Sequence, residues 1–263
     1  MNPARMLLGR VIPEPFKEPY RRIRERLYVK LYESLGLRWT LKSGVTFTIR
    51  SASDWMMFCD IFLDGEYDKP IQRALCANEA SGALRVLDLG ANSGFFTFRL
   101  ADRAQQAAFP GSIHIVAVEG SPRNSRRFET NLREAGLPAG IQVRTVHGLV
   151  GERSGTGHIL ESYSWGMSRV DRSGTAVPYV NLSPLIAEWP RVDLVKCDIE
   201  GSEYEFLSVY EDVLRKTCLA VFEFHVAASE RIQECRRFLD SYGLVHNEVL
   251  RTCGVNTVEL FWR

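Results

Sequence analysis

Two segments of the chain place ionisable residues where a buried strand would be apolar. Lys196 and Asp198 are two residues apart in the first segment. Glu223 and His225 have the same spacing in the second, so each pair points to one side of its strand. Because the carboxyl ends of neighbouring parallel strands meet, we expect these side chains to share one crevice, with Glu200 at its lip. Burying so many ionisable groups is costly unless they pair, and such clusters are often functional.

The chemistry that this crevice could perform is removal of a proton from a hydroxyl group whose oxygen attacks an electrophile in line. A histidine or a carboxylate within hydrogen-bond reach suits that task. His225 is the preferred base, with Glu223 and Glu200 as alternatives, and Asp198 orients the base or the nucleophile. A purely structural ion pair of Lys196 with Asp198 or Glu223 is the competing interpretation.

A metal ion is not demanded by any ligand spacing, so none is predicted. If a divalent ion is used, Asp198, Glu200 and Glu223 are the expected ligands, and the ion would acidify a diol. Glu203 and Glu205 are most simply acids in the first turn of a helix, where they favour the helix dipole.

A glycine-containing turn predicts the place where a small ligand binds. Residues 85–97 run from an apolar strand through Asp88, Gly90 and Gly94 into a helix, as in the ligand-binding turns of α/β sheets. The dinucleotide fingerprint requires glycine at the position of Asn92. The turn therefore suits the zwitterionic tail of S-adenosylmethionine (SAM) better than a pyrophosphate.

The next strand, residues 113–118, ends at Glu119. A carboxylate at that position can accept hydrogen bonds from both hydroxyls of a ribose. Ser121 and Pro122 are then typical of a helix start. The two motifs together indicate a nucleoside cofactor. A nicotinamide-dependent oxidoreductase and a non-catalytic interaction module with the same fold remain the alternatives to a methyltransferase.

The alternation of strands and helices predicts a parallel α/β sheet with right-handed crossovers. The predicted strands are 85–89, 113–118, 142–147, 192–197 and 219–224. The predicted helices are 94–104, 123–135, 202–214 and 228–241. Two further strand-like runs, 245–250 and 256–262, are joined by a short link and predict an antiparallel hairpin. The fold class is therefore a Rossmann-like methyltransferase sheet of seven strands, mostly parallel, with an antiparallel C-terminal hairpin.

Two domains are expected. Residues 1–80 would form an extension with a basic helix, a short hairpin near 41–50 and a lid-like segment, and residues 81–263 would form the SAM-binding domain. Glycines punctuate 148–184, which predicts an inserted β-hairpin or a mobile loop. Substrate contacts are expected from this insertion and from the extension, at Tyr67, Tyr163, Trp165 and Arg169.

The charge of the chain is unevenly distributed. The net charge of the 263 residues is +1, yet residues 1–50 contain 11 Lys and Arg against 4 Glu. The helix that begins near Tyr20 is amphipathic with an arginine-rich face, which is either a solvated surface or a contact for an acidic partner or a membrane surface. Basic residues are not interleaved with stacking aromatics, so nucleic acid is not expected as a partner. No signal for an oligomeric state is present.

The cysteines and the hydropathy pattern favour a soluble, cytoplasmic protein. None of the six cysteines forms a C-x-x-C pair, and reduced thiols are the simplest interpretation. No apolar stretch reaches the length of a membrane span. The expected partner is a small-molecule hydroxyl acceptor.

From about Asp54 to Glu223 the chain resembles the FkbM family of SAM-dependent methyltransferases. The resemblance rests on the lead-in at 58–67, the glycine turn at 86–97, the segment 118–124 with Asn131, and Lys196-x-Asp198-x-Glu200-Gly201-x-Glu203. It implies O-methylation of a sugar hydroxyl, a polyketide or another natural product. Two departures are Gly120, where proline is usual, and Ser208, where glycine is usual.

The resemblance also implies which residues bind the cofactor. The turn from Gly90 to Gly94 would hold the methionine part of SAM, and Glu119 its ribose. The turn after the third strand, including Gly148 and Leu149, would lie near the adenine. The full implied set is Asp88, Gly90, Ala91, Asn92, Ser93, Gly94, Glu119, Gly120, Gly148, Leu149 and Asp198.

Overall fold

A computed structural model describes Leu27, Lys30, Leu31 and Ser34, and then residues 35–160, 169–170, 174–225, 231–254 and 256–263. The first part of the basic helix, and the substrate residues predicted at Tyr163 and Trp165, lie outside the described residues, as does the side chain of Arg169. Among the described residues, no helix has both the length and the apolar composition that a membrane span requires.

The strands in the described residues are β1 (Leu37–Thr40), β2 (Thr46–Ile49), β3 (Ala83–Leu89), β4 (Ser112–Glu119), β5 (Ile141–His147), β6 (Thr156–Leu160), β7 (Arg169–Val170), β8 (Thr175–Pro178), β9 (Leu194–Cys197), β10 (Leu219–Phe224), β11 (His246–Cys253) and β12 (Asn256–Trp262). The α-helices are α1 (Ala52–Phe58), α2 (Asp68–Asn78), α3 (Phe95–Gln106), α4 (Pro122–Glu134), α5 (Glu203–Val209), α6 (Glu211–Leu214) and α7 (Ile232–Ser241). A π-helical turn, Cys59–Leu63, continues α1.

Seven strands form the central sheet in the order β11-β12-β10-β9-β3-β4-β5. The pairs from β10 through β5 are all parallel. β12 is antiparallel to both of its neighbours, β10 and β11. The predicted fold class, a mostly parallel Rossmann-like sheet that ends in an antiparallel hairpin, is therefore confirmed.

Both faces of the sheet are covered, which explains why its central strands are continuous apolar runs. On β3, Leu84 and Val86 belong to the core that contains α2 and α3 residues. Leu87 and Leu89 point to the opposite face and join the core built with α5 and α7. The period-two alternation of a strand thus supplies two separate cores from one sequence segment.

The β1–β2 hairpin begins and ends slightly before the predicted limits, and its turn falls at Gly44, as expected. Phe47 of β2 is fully buried in the same core as Phe95 of α3. The backbone amide of Thr46 donates to the carbonyl of Ala135, just after α4. The hairpin is therefore docked on the end of α4 and shares the core of the sheet.

The predicted insertion contains a small antiparallel sheet of three strands in the order β7-β6-β8. This is more structure than the hairpin or loop that the glycines indicated. Leu149, Ile159 and Val177 form a separate apolar cluster within it. Backbone hydrogen bonds between Leu149 and Pro178 and between Val180 and Leu149 connect this sheet to the chain leaving β5.

Gly90 allows the ends of β3 and β9 to approach each other. Its φ is +74°, and a Cβ atom there would overlap the backbone oxygen of Asp198. Gly82 has almost the same φ, +71°, but open space around the position of its Cβ. The two glycines therefore separate the effect of backbone conformation from the effect of a steric clash.

We expect Gly90→Ala to destabilise the protein by clearly more than Gly82→Ala. The second substitution should cost only the left-handed conformation of a non-glycine residue, about 1–2 kcal/mol. Gly90→Ala adds a backbone collision that no rotamer change relieves. Urea unfolding of both variants measures the difference, and equal losses would show that the strand ends are not held so closely.

Candidate active site

A cleft opens at the carboxyl ends of β3, β4, β5 and β9, where the strand order of an α/β sheet reverses. Its walls come from the glycine turn, the end of β4, the inserted sheet and the turn after β9. The lining residues are Gly90, Asn92, Val118, Glu119, Gly120, Asn124, Gly148, Leu149, Val150, Ile159, Asp198, Ile199, Glu200 and Ser202.

The glycine turn is fastened to β4 by its backbone. The amides of Gly90 and Ala91 both donate to the carbonyl of Val118, at 2.9 and 3.0 Å. Asn92 has φ +50°, a left-handed conformation that asparagine tolerates better than most residues. Gly94 has φ +94°, and a Cβ there would overlap the ring of Phe128. The turn is thus held against β4 and α4, with Gly90 and Asn92 lining the cleft.

The predicted cofactor residues divide into two groups. Seven line the cleft: Gly90, Asn92, Glu119, Gly120, Gly148, Leu149 and Asp198. The other four, Asp88, Ala91, Ser93 and Gly94, are buried and do not line it. The Oγ of Ser93 donates to Asp54 at 3.0 Å, and the Oγ1 of Thr97 donates to Asp88 at 3.1 Å. These contacts hold the glycine turn on its buried side, away from the cleft.

Glu119 is held in a defined orientation at the end of β4. Its Oε2 accepts from the amide of Asn92 and its Oε1 from the amide of Ser121, both at 2.7 Å. Burial raises the pKa of this carboxyl to about 7, although the two amides act in the opposite direction. A carboxylate has about four lone-pair positions, so each oxygen keeps acceptor capacity for a hydroxyl group.

Lys196 lies beneath the glycine turn, with 2 % of its side chain exposed. Its Nζ donates to the carbonyl of Gly90 at 2.6 Å and lies 3.2 Å from Oδ2 of Asp198 and 3.7 Å from Oδ1 of Asp88. Burial alone would lower the pKa of Lys196, but Asp198 and Asp88 raise it above its ordinary value. The ammonium group therefore stays charged and joins the ends of β3 and β9.

His225 lies among four carboxylates. Its Nδ1 is 2.9 Å from Oε1 of Glu203. Its Nε2 is 3.5 Å from Glu200, 3.7 Å from Asp198 and 3.9 Å from Glu223. The structure thus brings Asp198, Glu200 and Glu223 to His225 as the sequence predicted, and adds Glu203, which it did not predict there. Burial alone would lower the pKa of His225, but the carboxylates raise it to about 10.

The raised pKa of His225 changes the expected chemistry. At neutral pH the imidazole already carries its second proton and has no lone pair with which to accept another. The candidate bases are therefore the alternative carboxylates, Glu223 and Glu200. Burial and the charge of Asp198 raise the pKa of Glu200 to about 8 and that of Glu223 to about 7. A carboxylate with such a pKa can exchange a proton near neutrality.

Glu200 differs from the other carboxylates of the group. It lines the cleft, as Asp198 also does, but its φ of +55° is uncommon for a residue with a side chain. Among the described residues, its ion-pair partner is His225, whereas Asp198 is paired with Lys196 and Glu223 lies near Arg251. Glu200 is therefore the carboxylate best placed to meet a ligand in the cleft.

Several site residues were missed or misjudged from the sequence. Glu203, interpreted as a first-turn acid, is fully buried against His225. Arg251 of β11 reaches Oε1 of Glu66 at 3.0 Å, and burial raises the pKa of Glu66 to about 8. Tyr67, predicted to contact substrate, is only 2 % exposed and packs edge-on against Phe96, so its ring belongs to the core.

A divalent cation could be held by Asp198, Glu200 and His225, whose ligand atoms all lie within 4.8 Å of one another. The expected set from the sequence had Glu223 in place of His225. Oxygen and imidazole ligands of this kind suit several divalent ions. The same groups can instead hold a proton among them.

One comparison with known proteins identifies the kind of domain. The family model described as methyltransferase FkbM domain matches residues 88–246, more than half of the chain. No curated protein matches the sequence.

Three solved structures illustrate the similarity at low identity. A precorrin-6y C5,15-methyltransferase from Geobacter metallireducens has 13% identity and a TM-score of 0.43, over 74% of this chain and 89% of that chain. A putative O-methyltransferase from Klebsiella pneumoniae has 16% identity and a TM-score of 0.41, over 74% and 79%. The METTL16 methyltransferase domain has 11% identity and a TM-score of 0.47, over 90% of each chain.

We expect Lys196→Met to destabilise the protein by about 3–5 kcal/mol, because it leaves Asp88 and Asp198 buried without their cation. Lys216→Met, at an exposed position, should change the free energy of unfolding by no more than about 0.5 kcal/mol. Urea unfolding of the two variants makes the comparison. A stable Lys196→Met protein would mean that the ion pairs contribute little to joining the strands.

Proposed function

The chain belongs to the FkbM methyltransferase family, and on that premise we propose that it transfers the methyl group of SAM to a hydroxyl group of a small molecule. The proposed acceptor is a sugar, a glycoside or a polyketide-type natural product. One observation carries the proposal: a single cleft has the acceptor groups of Glu119 on one wall and the proton-exchanging carboxylate of Glu200 on the other.

The residues of the cleft fit SAM in chemical type. Glu119 keeps acceptor capacity for the two ribose hydroxyls after binding its two backbone amides. The backbone of Gly90 and the carboxylate of Asp198 face the region where an ammonium group would be stabilised. Leu149 and Ile159 supply apolar contacts for a planar base.

When bound, SAM supplies an electrophilic methyl group on a sulfonium. The chain itself has to align the acceptor oxygen with that methyl group and take the hydroxyl proton. We propose Glu200 as the proton acceptor. The imidazolium of His225, 3.5 Å away, partly offsets the burial of Glu200 and keeps its pKa from rising further. Asp198 and Glu223 complete the group and set its electrostatic field.

Binding of S-adenosylhomocysteine tests the cofactor assignment. We expect calorimetry to detect binding to the wild-type chain and at least about tenfold weaker binding to Glu119→Gln. The glutamine would place an amide N–H against a backbone N–H and lose a charged acceptor, which is worth about 1.5–3 kcal/mol. Glu129→Gln, exposed on α4, is the control. Binding of NADH in place of S-adenosylhomocysteine would favour the oxidoreductase alternative.

The pH dependence of turnover tests the base. Because the pKa of Glu200 is raised to about 8, the carboxylate is protonated below that pH and turnover should fall as the pH is lowered through it. Glu200→Gln should reduce turnover by about 10²–10⁴-fold and abolish this limb of the profile. Radiolabelled SAM with a panel of sugars and polyketides supplies the assay. An unchanged profile in the variant would exclude Glu200 as the base.

A further inference from the structure

Glu203 has an environment that a helix-dipole role does not require. It is the first residue of α5 and is 0 % exposed, whereas Glu205 in the same turn is exposed. An exposed acid already interacts favourably with the helix N-terminus. Removing a carboxylate from water is costly, so the burial of Glu203 calls for a different explanation.

One oxygen of Glu203 connects two parts of the site. Its Oε1 accepts from the backbone amides of Ile199 and Gly201, at 3.3 and 3.1 Å, and lies 2.9 Å from Nδ1 of His225. The turn after β9 and the end of β10 are thereby joined through a single atom. Among the described residues, its Oε2 is buried without a hydrogen-bond partner. The position of Glu203 therefore provides three contacts for Oε1, although leaving Oε2 buried without a hydrogen bond costs free energy.

The contact with Glu203 determines which way the ring of His225 faces, because Nδ1 is the nitrogen directed at Glu203. Oε1 of Glu203 already accepts from two backbone amides and acts as the acceptor here too, so Nδ1 is the donor in this pair. Nε2 is then the nitrogen that faces Glu200 and Asp198, at 3.5 and 3.7 Å. If Glu203 were absent, nothing described on that side of the ring would hold Nδ1 in this direction.

We propose that Glu203 is a positioning residue, which acts through His225 by fixing its Nδ1–H and directing its Nε2 toward Glu200. This inference rests on the proposed function, since Glu200 is the proposed proton acceptor of that reaction. A hydrogen-bonded carboxylate behind an imidazole fixes the ring orientation and the tautomer in many enzyme sites. Here the nitrogen on the other side of the imidazole, Nε2, faces the carboxylate of Glu200 at the lip of the cleft.

The test compares Glu203→Ala and Glu203→Gln with the matched control Glu205→Gln. Nitrogen-15 NMR of labelled histidine, assigned with His225→Asn, gives the hydrogen bonding and protonation of each ring nitrogen. We expect a strongly hydrogen-bonded Nδ1–H in the wild type and in Glu205→Gln, and its loss in Glu203→Ala. Glutamine keeps an acceptor oxygen, so Glu203→Gln should retain the hydrogen bond in a weaker form.

Turnover and cofactor binding complete the test. Turnover of Glu203→Ala should fall by about tenfold or more, with partial recovery in Glu203→Gln, while the affinity for S-adenosylhomocysteine stays within about twofold. An Nδ1 signal unchanged in Glu203→Ala, or a turnover loss equal to that of Glu205→Gln, would overturn the inference. Absence of cofactor binding in the wild type would instead reject the proposed function, and the NMR comparison would still decide the position of the ring. If Glu203→Ala does not fold, the Glu203→Gln spectrum is used instead. A weaker Nδ1 hydrogen bond than in the wild type supports the inference, and an unchanged one overturns it.

Discussion

The site depends on the contacts that the buried ammonium group of Lys196 makes with its neighbours. This group donates to the carbonyl of Gly90 and is paired with Asp198 and Asp88, so it joins the turn that follows β3 to the end of β9. These are the two walls between which a ligand would lie. Buried charges are stabilising only when their partners are complete, so the integrity of the cleft and the stability of the core depend on the same atoms.

The four carboxylates around His225 interact with it and with one another, so the charge state of each group depends on the others. Glu203 fixes one ring nitrogen and Glu200, Asp198 and Glu223 surround the other. The imidazolium lowers the energy of the neighbouring carboxylates, and each carboxylate in turn stabilises the imidazolium. Proton transfer at such a site is a property of the whole group, which is why substitution of one member should alter the others.

The sequence predicted those features that follow from local pattern. Apolar runs located the strands, and the ends of two parallel strands predicted that Asp198 and His225 would meet. It did not predict contacts that depend on tertiary packing. The burial of Glu203 depends on His225, 22 positions away, and a first-turn acid looks the same whether buried or exposed. Arg251 enters the site beyond a register shift in β11 that has no local signature. The Tyr67 ring is buried because Phe96 packs against it.

The docking of β2 onto the end of α4 has a consequence for biosynthesis. Thr46 bonds to Ala135, and Thr48 bonds to Asn131, which lies 83 positions later in the chain. During translation, the β1–β2 hairpin therefore leaves the ribosome long before its partner exists. Its apolar residues Phe47 and Ile49, fully buried in the finished protein, are unprotected in the nascent chain for that interval. Because such non-local contacts form slowly and leave apolar segments exposed to aggregation, a chaperone that covers this hairpin during synthesis would protect the fold.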